Sequence, residues 1–320
     1  MISLQSFLID NPCRYTIDNS QLKRVGLRGN LRHNEPLSEH TSWRVGGPAQ
    51  WFYEPADVLD LAHFMQQLPD DIPVFWLGLG SNLLVRDGGI PGVVILTAGL
   101  LNEIKLLDDN ILRVEAGVSC AKLARFAARA CCFWGGTEFL AGIPGSFGGA
   151  LAMNAGAWGK ETWSFVQGVE TLNRQGQSRK RQVTDYEIGY RRVKGPENEW
   201  FVAATLLLSP ASEEGKAKIQ ALLKERNEKQ PIGLPSCGSV FRNPPGDYAA
   251  RLIEEAGWKG HCEGGACVSE KHANFIINCN HATAADIECL IEQIKASIEQ
   301  KYSISLIPEV RIVGDEIQTY

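Results

Sequence analysis

The sequence predicts an α+β fold of about three units, on three observations. A strand, helix, strand unit over residues 51–79 runs into a glycine turn. An alternating, hairpin-like segment covers residues 104–114, and a long capped amphipathic helix near residues 283–302 stands among short strands. No segment repeats at a fixed period.

Residues 1–36 mix polar and basic side chains and end in Glu35-Pro36, the pattern of an arm ahead of the folded body. Trp51–Tyr53 is a short aromatic strand. Pro55-Ala56-Asp57 supplies helix-start chemistry for a helix carrying Val58, Leu61, Ala62, Met65 and Leu68 on one face. Val74–Leu79 and Val93–Leu96 have the composition of buried strands. Ile104–Val114 alternates around Asp108-Asp109-Asn110, and Ser119 caps a helix with Leu123, Phe126, Ala127 and Ala130 on one face. Strand-like runs at Ser164–Asn173 and Phe201–Ser209 precede a charged helix over Ser212–Glu228, expected to connect to a last unit. That unit holds a helix at Tyr248–Ala256, a strand at Ala273–Asn278, the long helix Thr283–Tyr302 and a strand at Leu306–Val313. Thr283 and Asp286 cap the long helix, whose apolar stripe is Ile287, Leu290, Ile291, Ile294 and Ile298. The expected divisions are 1–36, 37–100, 101–210 and 211–320.

A 320-residue chain that is 44% hydrophobic and 22% charged buries enough apolar surface to exclude intrinsic disorder. Its net charge is −5, with Lys and Arg interleaved among Asp and Glu, so no basic face for nucleic acid emerges. The longest apolar stretches, such as Ile72–Leu79, fall far short of the roughly 18 residues of a membrane span. Met1–Asp10 lacks the basic lead and apolar core of a signal peptide, so a cytoplasmic location is expected, with no membrane insertion and no obligate protein partner. Nine cysteines in such a chain are expected as reduced thiols. Cys262, Cys267, Cys279, His261, His272 and His281 cluster in sequence but lack any standard ligand spacing, so no metal site is expected.

Glycine is the outlier: the chain has 32, and 15 of them lie within residues 78–159. Gly78-Leu79-Gly80-Ser81-Asn82 follows an apolar strand, where successive backbone N–H groups can converge on a phosphate; an ordinary strand-ending turn would look the same. It is no dinucleotide fingerprint of the doubly wound kind, because Leu83 stands where the third glycine belongs. The run from Gly142 through Ile143, Pro144, Gly145, Ser146 and Gly149 to Asn154 and Gly156 leaves some fifteen residues nearly free of side chains. Such a run suits close backbone approach to an extended ligand, and two of them imply one of dinucleotide size.

Those two glycine segments, Gly238-Ser239-Val240-Phe241-Arg242-Asn243-Pro244 and Pro308-Glu309-Val310-Arg311 occur in the order seen in the UDP-N-acetylenolpyruvoylglucosamine reductase (MurB) family, which the chain resembles over residues 37–314. The resemblance implies a two-part FAD-binding module of the vanillyl-alcohol-oxidase/PCMH type, over 37–100 and 101–210, plus a C-terminal α+β substrate-binding domain over 211–320. It also implies FAD as cofactor, NADPH as co-substrate, a UDP-sugar substrate and a place in peptidoglycan precursor synthesis. Between Tyr190 and Arg226 no long insertion appears, which resembles the shorter, type II-like subtype.

Within that resemblance Tyr190-Arg191 matches the family's Tyr-Arg pair, and Arg191 would contact the substrate carboxylate, although Val193 stands where many relatives carry serine. Ser239 would donate the proton; Cys237, two residues earlier, is a rival acid on intrinsic acidity. Glu309 would join them, orienting a donor or stabilising the protonated enol, in a site that raises its pKa. Gly78, Gly80, Ser81, Asn82, Gly142, Ile143, Pro144, Gly145, Ser146, Gly149, Asn154 and Gly156 would bind the cofactor. Arg226, Lys229 and Arg242 are candidates for the diphosphate, the first two equally accountable as a charged helix end. Asn243 and Asn274 are candidates for sugar or uracil contacts, with Tyr190 beside them. Two alternatives stand: a flavin oxidase of the same fold acting on an alcohol or sugar, and a flavin- or nucleotide-binding module without turnover.

Overall fold

Residues 26–130, 134–210 and 215–317 are described by the computed structural model. The first unit contains β1 (Asn30–Pro36), β2 (Pro48–Glu54), helix α1 (Val58–Gln67), β3 (Val74–Leu77), β4 (Leu83–Val85) and β5 (Ile90–Leu96). Its sheet has the order β1-β2-β5-β3, antiparallel only at β1. β2 is buried on both faces: Trp51 and Tyr53 pack with Leu61, Phe64 and Met65, whereas Phe52 packs with Leu77 and Val94 on the other side. Asp57 caps α1 as expected, accepting from Asp60 N at 2.9 Å.

Part of the expected arm lies outside the described residues, and the rest is corrected. Asn30–Pro36 is a strand because β2 takes up its backbone, while Arg32 holds Glu35 and Glu54 at 2.7 Å each in place of an apolar pattern.

The second unit is an antiparallel sheet of β6 (Ile104–Asp108), β7 (Ile111–Glu115), β8 (Val166–Asn173), β9 (Ser178–Gln182) and, after the short hairpin Glu187–Gly189 and Arg192–Lys194, β10 (Glu199–Leu207). Helices α2 (Cys120–Ala130) and α3 (Phe147–Met153) cover it. The expected connector is corrected in its allegiance. Helix α4 (Gly215–Lys229) buries Ile219 in this second core, with Leu223 packed against it, so the third unit begins after Lys229 and not at 211. The start expected at Ser212 lies outside the described residues.

The third unit packs α5 (Ala249–Glu255) and the small sheet β11 (Cys262–Glu263), β12 (Ala266–Val268), β13 (Ile276–Asn278) on α6 (Ala284–Tyr302). The Thr283–Asp286 capping box forms, and all five residues of the expected stripe on α6 are fully buried. Cys262 and Cys267 sit directly opposite each other on β11 and β12 and are joined as a disulfide, which corrects the expectation of reduced thiols for this pair. Among the described residues no cluster of three potential metal ligands occurs, and no helix is long and apolar enough to cross a membrane.

The final strand, β14 (Arg311–Val313), leaves its own unit and pairs in parallel with β4, Arg311 opposite Leu83. This pairing carries the segment before it, Pro308-Glu309-Val310, to the end of the first glycine turn.

Candidate active site

The first glycine turn links β3 to β4, and the second glycine segment lies against it. A Cβ on Gly78 would stand 2.3 Å from Ser146 Oγ, and one on Gly145 would stand 3.4 Å from Ser81 Oγ. Gly80 takes φ +60° with His40 O only 2.2 Å from where its Cβ would be, so a side chain is excluded there both sterically and conformationally. A cleft of about 230 Å³ runs along the turn between His40, Ser42, Gly78 and Leu96. The glycine turn forms one wall of that cleft and His40, Ser42 and Leu96 the other, while Gly145 and Ser146 of the second segment pack against Gly78 and Ser81; exposed main chain of this kind suits a phosphate-linked cofactor.

The second segment is only partly the open run expected. Seven of its residues form α3, because Ser146 Oγ accepts from Gly149 N at 3.3 Å while Phe147 and Leu151 are buried. Asn154, fully buried at φ +47°, is corrected from cofactor contact to scaffold: its amide donates to Glu161 Oε2 (2.8 Å) and Gly189 O (3.2 Å), and its Oδ1 accepts from Trp163 N (3.2 Å). Gly142 lies beneath the ring of Trp158, whose Nε1 donates to Glu225 Oε2 at 3.0 Å. Trp158 is a residue the sequence reading missed; an aromatic at the end of a small-residue run was the signal.

Arg191 occupies the turn of the short hairpin with φ +53°, a left-handed conformation unusual for a residue other than glycine. Its Nη2 donates to Gly156 O at 2.8 Å, and its guanidinium lies over the Tyr190 ring at 5.3 Å. Gly156 therefore supports Arg191 through its carbonyl. Arg191 Nε stands 2.7 Å from Glu309 Oε1, a close ion contact in which the N–H is directed off the line between the atoms. The Glu309 side chain is 15% exposed. Burial raises its pKa above the ordinary value of 4.5, outweighing the opposing pull of Arg191 and Arg242.

Glu309 N donates to Val240 O at 2.7 Å, which places the Pro308-Glu309 segment beside Ser239. Gly238, at φ +73°, turns the chain before Ser239, and among the described residues the Ser239 hydroxyl has no hydrogen-bond partner. The rival acid is set aside. Cys237 is 4% exposed, with burial pushing its thiol up to about 12, and its Sγ approaches Leu83 O at 3.3 Å.

Other candidates divide. Asn274, 3% exposed, accepts from Phe241 N at 2.9 Å and donates to Phe241 O at 2.8 Å, so its side chain substitutes for a strand beside the serine loop and is corrected from ligand contact. Asn243 Oδ1 accepts from Ala249 N at 3.2 Å, tying the loop to α5. Arg242 keeps a buried Nε without a partner among the described residues. Arg226 reaches the second glycine segment, its Cδ 3.6 Å from where a Gly142 Cβ would be, whereas Lys229 is exposed and paired with Glu225 at 2.7 Å. Asn82 spends its side chain within the protein, donating to Glu309 O and approaching Met153 Sδ at 3.0 Å each, which leaves its main-chain N–H to the turn.

Residues 49–180 match the family model of an FAD binding domain, and residues 230–313 match that of the UDP-N-acetylenolpyruvoylglucosamine reductase C-terminal domain. Together with the glycine cradle and the Arg191–Glu309 pair beside it, this defines an FAD-dependent oxidoreductase. UDP-N-acetylenolpyruvoylglucosamine reductases of Alkalilimnicola ehrlichii and Methylococcus capsulatus are each 56% identical to the chain, over 90% of it and 96% and 94% of their own lengths. That of Legionella pneumophila strain Lens is 56% identical over 95% of the chain and 98% of its own. The crystal structure of the Thermus caldophilus enzyme superposes with a TM-score of 0.76 at 32% identity, covering 89% of this chain and 99% of that one. The chain belongs to the UDP-N-acetylenolpyruvoylglucosamine reductase (MurB) family.

Proposed function

We propose that the protein uses NADPH to reduce UDP-N-acetyl-3-O-(1-carboxyvinyl)-glucosamine to UDP-N-acetylmuramate, a cytoplasmic step of peptidoglycan precursor synthesis. The observation that carries the reading is the half-buried Arg191–Glu309 pair, joined through Val240 to the Ser239 loop and lying at the end of the glycine turn. FAD, which the first glycine turn and the Gly145-Ser146 segment would hold, would supply the hydride chemistry that links NADPH to carbon 3 of the enolpyruvyl group.

The chain's own residues handle charge and the proton. Arg191 faces the enolpyruvyl carboxylate, holding the group in one orientation and drawing negative charge toward it. Glu309, whose pKa burial raises above its ordinary value, stands against that guanidinium and in its protonated form can donate a hydrogen bond to the developing enol. Ser239 gives its proton to carbon 2, a transfer feasible for a weak acid only when the basic carbon is positioned against it. Arg226, Lys229 and Arg242 are candidate cations for the diphosphate, and Tyr190 and Asn243 are exposed and available to the substrate.

An anaerobic visible spectrum tests the reading. The purified protein shows a flavin band that NADPH bleaches and the enolpyruvyl substrate restores. Ser239→Ala retains bleaching and slows restoration by about 10² or more. Absence of a flavin band, or equal slowing of both phases, refutes the assignment.

A further inference from the structure

The loop carrying Ser239 is fixed to its own unit by main-chain bonds: Asn278 N to Pro235 O at 3.0 Å, Val240 N to Asn274 O at 2.9 Å and Glu309 N to Val240 O at 2.7 Å. Toward the glycine turn the contact is made by a side chain. Cys237 Sγ lies 3.3 Å from Leu83 O, 3.7 Å from Gly80 O and 3.3 Å from Ser42 Oγ. Ser42 reaches the same carbonyl, its N and Oγ standing 3.2 Å and 3.3 Å from Gly80 O. Three segments remote in sequence, 41–44, 78–83 and 235–239, therefore meet in one knot of a thiol, a hydroxyl and two carbonyls.

Between this knot and Ser239 there is one residue, Gly238, at φ +73° and with nothing within 4 Å of where its Cβ would be. Packing at Gly238 does not hold the loop. The half-buried Ser239 hydroxyl, lacking a partner, does not hold it either. On the N-terminal side the anchor immediately before it sets the position of Ser239 relative to the glycine turn; on the other side Val240 O reaches that turn through Glu309, whose N donates to it and whose carbonyl Asn82 holds.

We propose that Cys237 and Ser42 are positioning residues that fix the proton-donating Ser239 at its working distance from the cofactor-binding turn. The proposal rests on the functional reading given above. A thiol–carbonyl contact is weak in energy, but a proton donor displaced by a fraction of an ångström loses much of its rate.

The test compares Cys237→Ala, Cys237→Ser and Ser42→Ala holoenzymes with the parent, following each half-reaction anaerobically and recording unfolding midpoints. With Cys237→Ala, reoxidation of the bound flavin by the enolpyruvyl substrate slows by about tenfold or more, with an enlarged solvent deuterium isotope effect, while its reduction by NADPH changes by less than about twofold. Cys237→Ser, which retains a donor, recovers most of the rate. Ser42→Ala slows the same step, and the Cys237→Ala/Ser42→Ala double variant loses less than the product of the two single losses. Reoxidation at the parent rate overturns the proposal. So does equal slowing of both half-reactions alongside a lowered unfolding midpoint, the signature of a merely structural role. Should Cys237→Ala fail to fold, Ser42→Ala and Cys237→Ser carry the same comparison. A parent enzyme whose reduced flavin the substrate leaves untouched overturns the functional reading itself, and this proposal with it.

Discussion

Asn82 of the first glycine turn donates its side-chain amide to the main-chain carbonyl of Glu309, 227 residues away, at 3.0 Å. Its own carbonyl accepts from Arg311 N at 3.0 Å, so both sides of Asn82 hold the strand that carries the carboxylate. The first glycine turn thus sets the height of Glu309 in the site.

Asn82→Ala removes that amide donor. The expected outcome is a loss of about 1 kcal/mol in stability together with a fall in kcat per bound flavin that exceeds any change in KM. Chemical denaturation and steady-state kinetics check it. Lower flavin content with unchanged kcat per flavin would return Asn82 to the cofactor contacts.

Glu309→Gln separates stability from catalysis. Burial raises the folded-state pKa of Glu309, so the stability conferred by its neutral form is complete below the unfolded value and is lost as pH rises through the folded one. The unfolding midpoint of the variant therefore gains on the parent as pH is raised from below the ordinary value of 4.5, although turnover falls sharply. Melting curves across the acidic range measure this; a difference that shrinks with pH contradicts the site's bias toward the neutral carboxyl.

Gly78→Ala drives a methyl toward Ser146 Oγ, 2.3 Å from the ideal Cβ position. A cost of about 1–3 kcal/mol and poor flavin retention are expected. Because Ser146→Ala removes the obstructing oxygen, at about 1 kcal/mol for the lost helix cap, the double variant should be more stable than the sum of the two changes. A double-mutant cycle with flavin content as second readout decides the point.

The cysteines should divide by burial. In the native, non-reduced protein a thiol reagent is expected to label the exposed Cys279 and Cys289 and to spare Cys120 and Cys237, whose thiols burial pushes up to about 12. Peptide mapping should recover Cys262 joined to Cys267, and reagent on either without prior reduction would contradict that bond.

What could be read from the sequence was local. The capping box and apolar stripe of α6 depend on residues one to four positions apart, and they stand where periodicity puts them. The Asp57 cap of α1 was equally legible. The strand Asn30–Pro36 was not, since charged side chains paired by Arg32 leave no alternation to detect. The allegiance of helix α4 was not legible, because its charged surface hides Ile219 and Leu223, which pack into the second core.

Asparagines show the limit most clearly. Asn82, Asn154 and Asn274 each look like ligand contacts in a motif, yet an amide can donate and accept over any separation in the chain. In the folded protein all three direct hydrogen bonds to backbone brought near by other elements. The sequence by itself determined the α+β class and the two glycine segments, because those depend on composition and spacing, and its resemblance to the MurB family put forward Arg191, Ser239 and Glu309 as candidates. Only the tertiary structure decided that Arg191 meets Glu309, that the glycine segments lie face to face, and that Cys237 is a buried thiol beside the turn. Each of those depends on the parallel pairing of the last strand with β4 and on the packing of the units, and no pattern within a single segment encodes either.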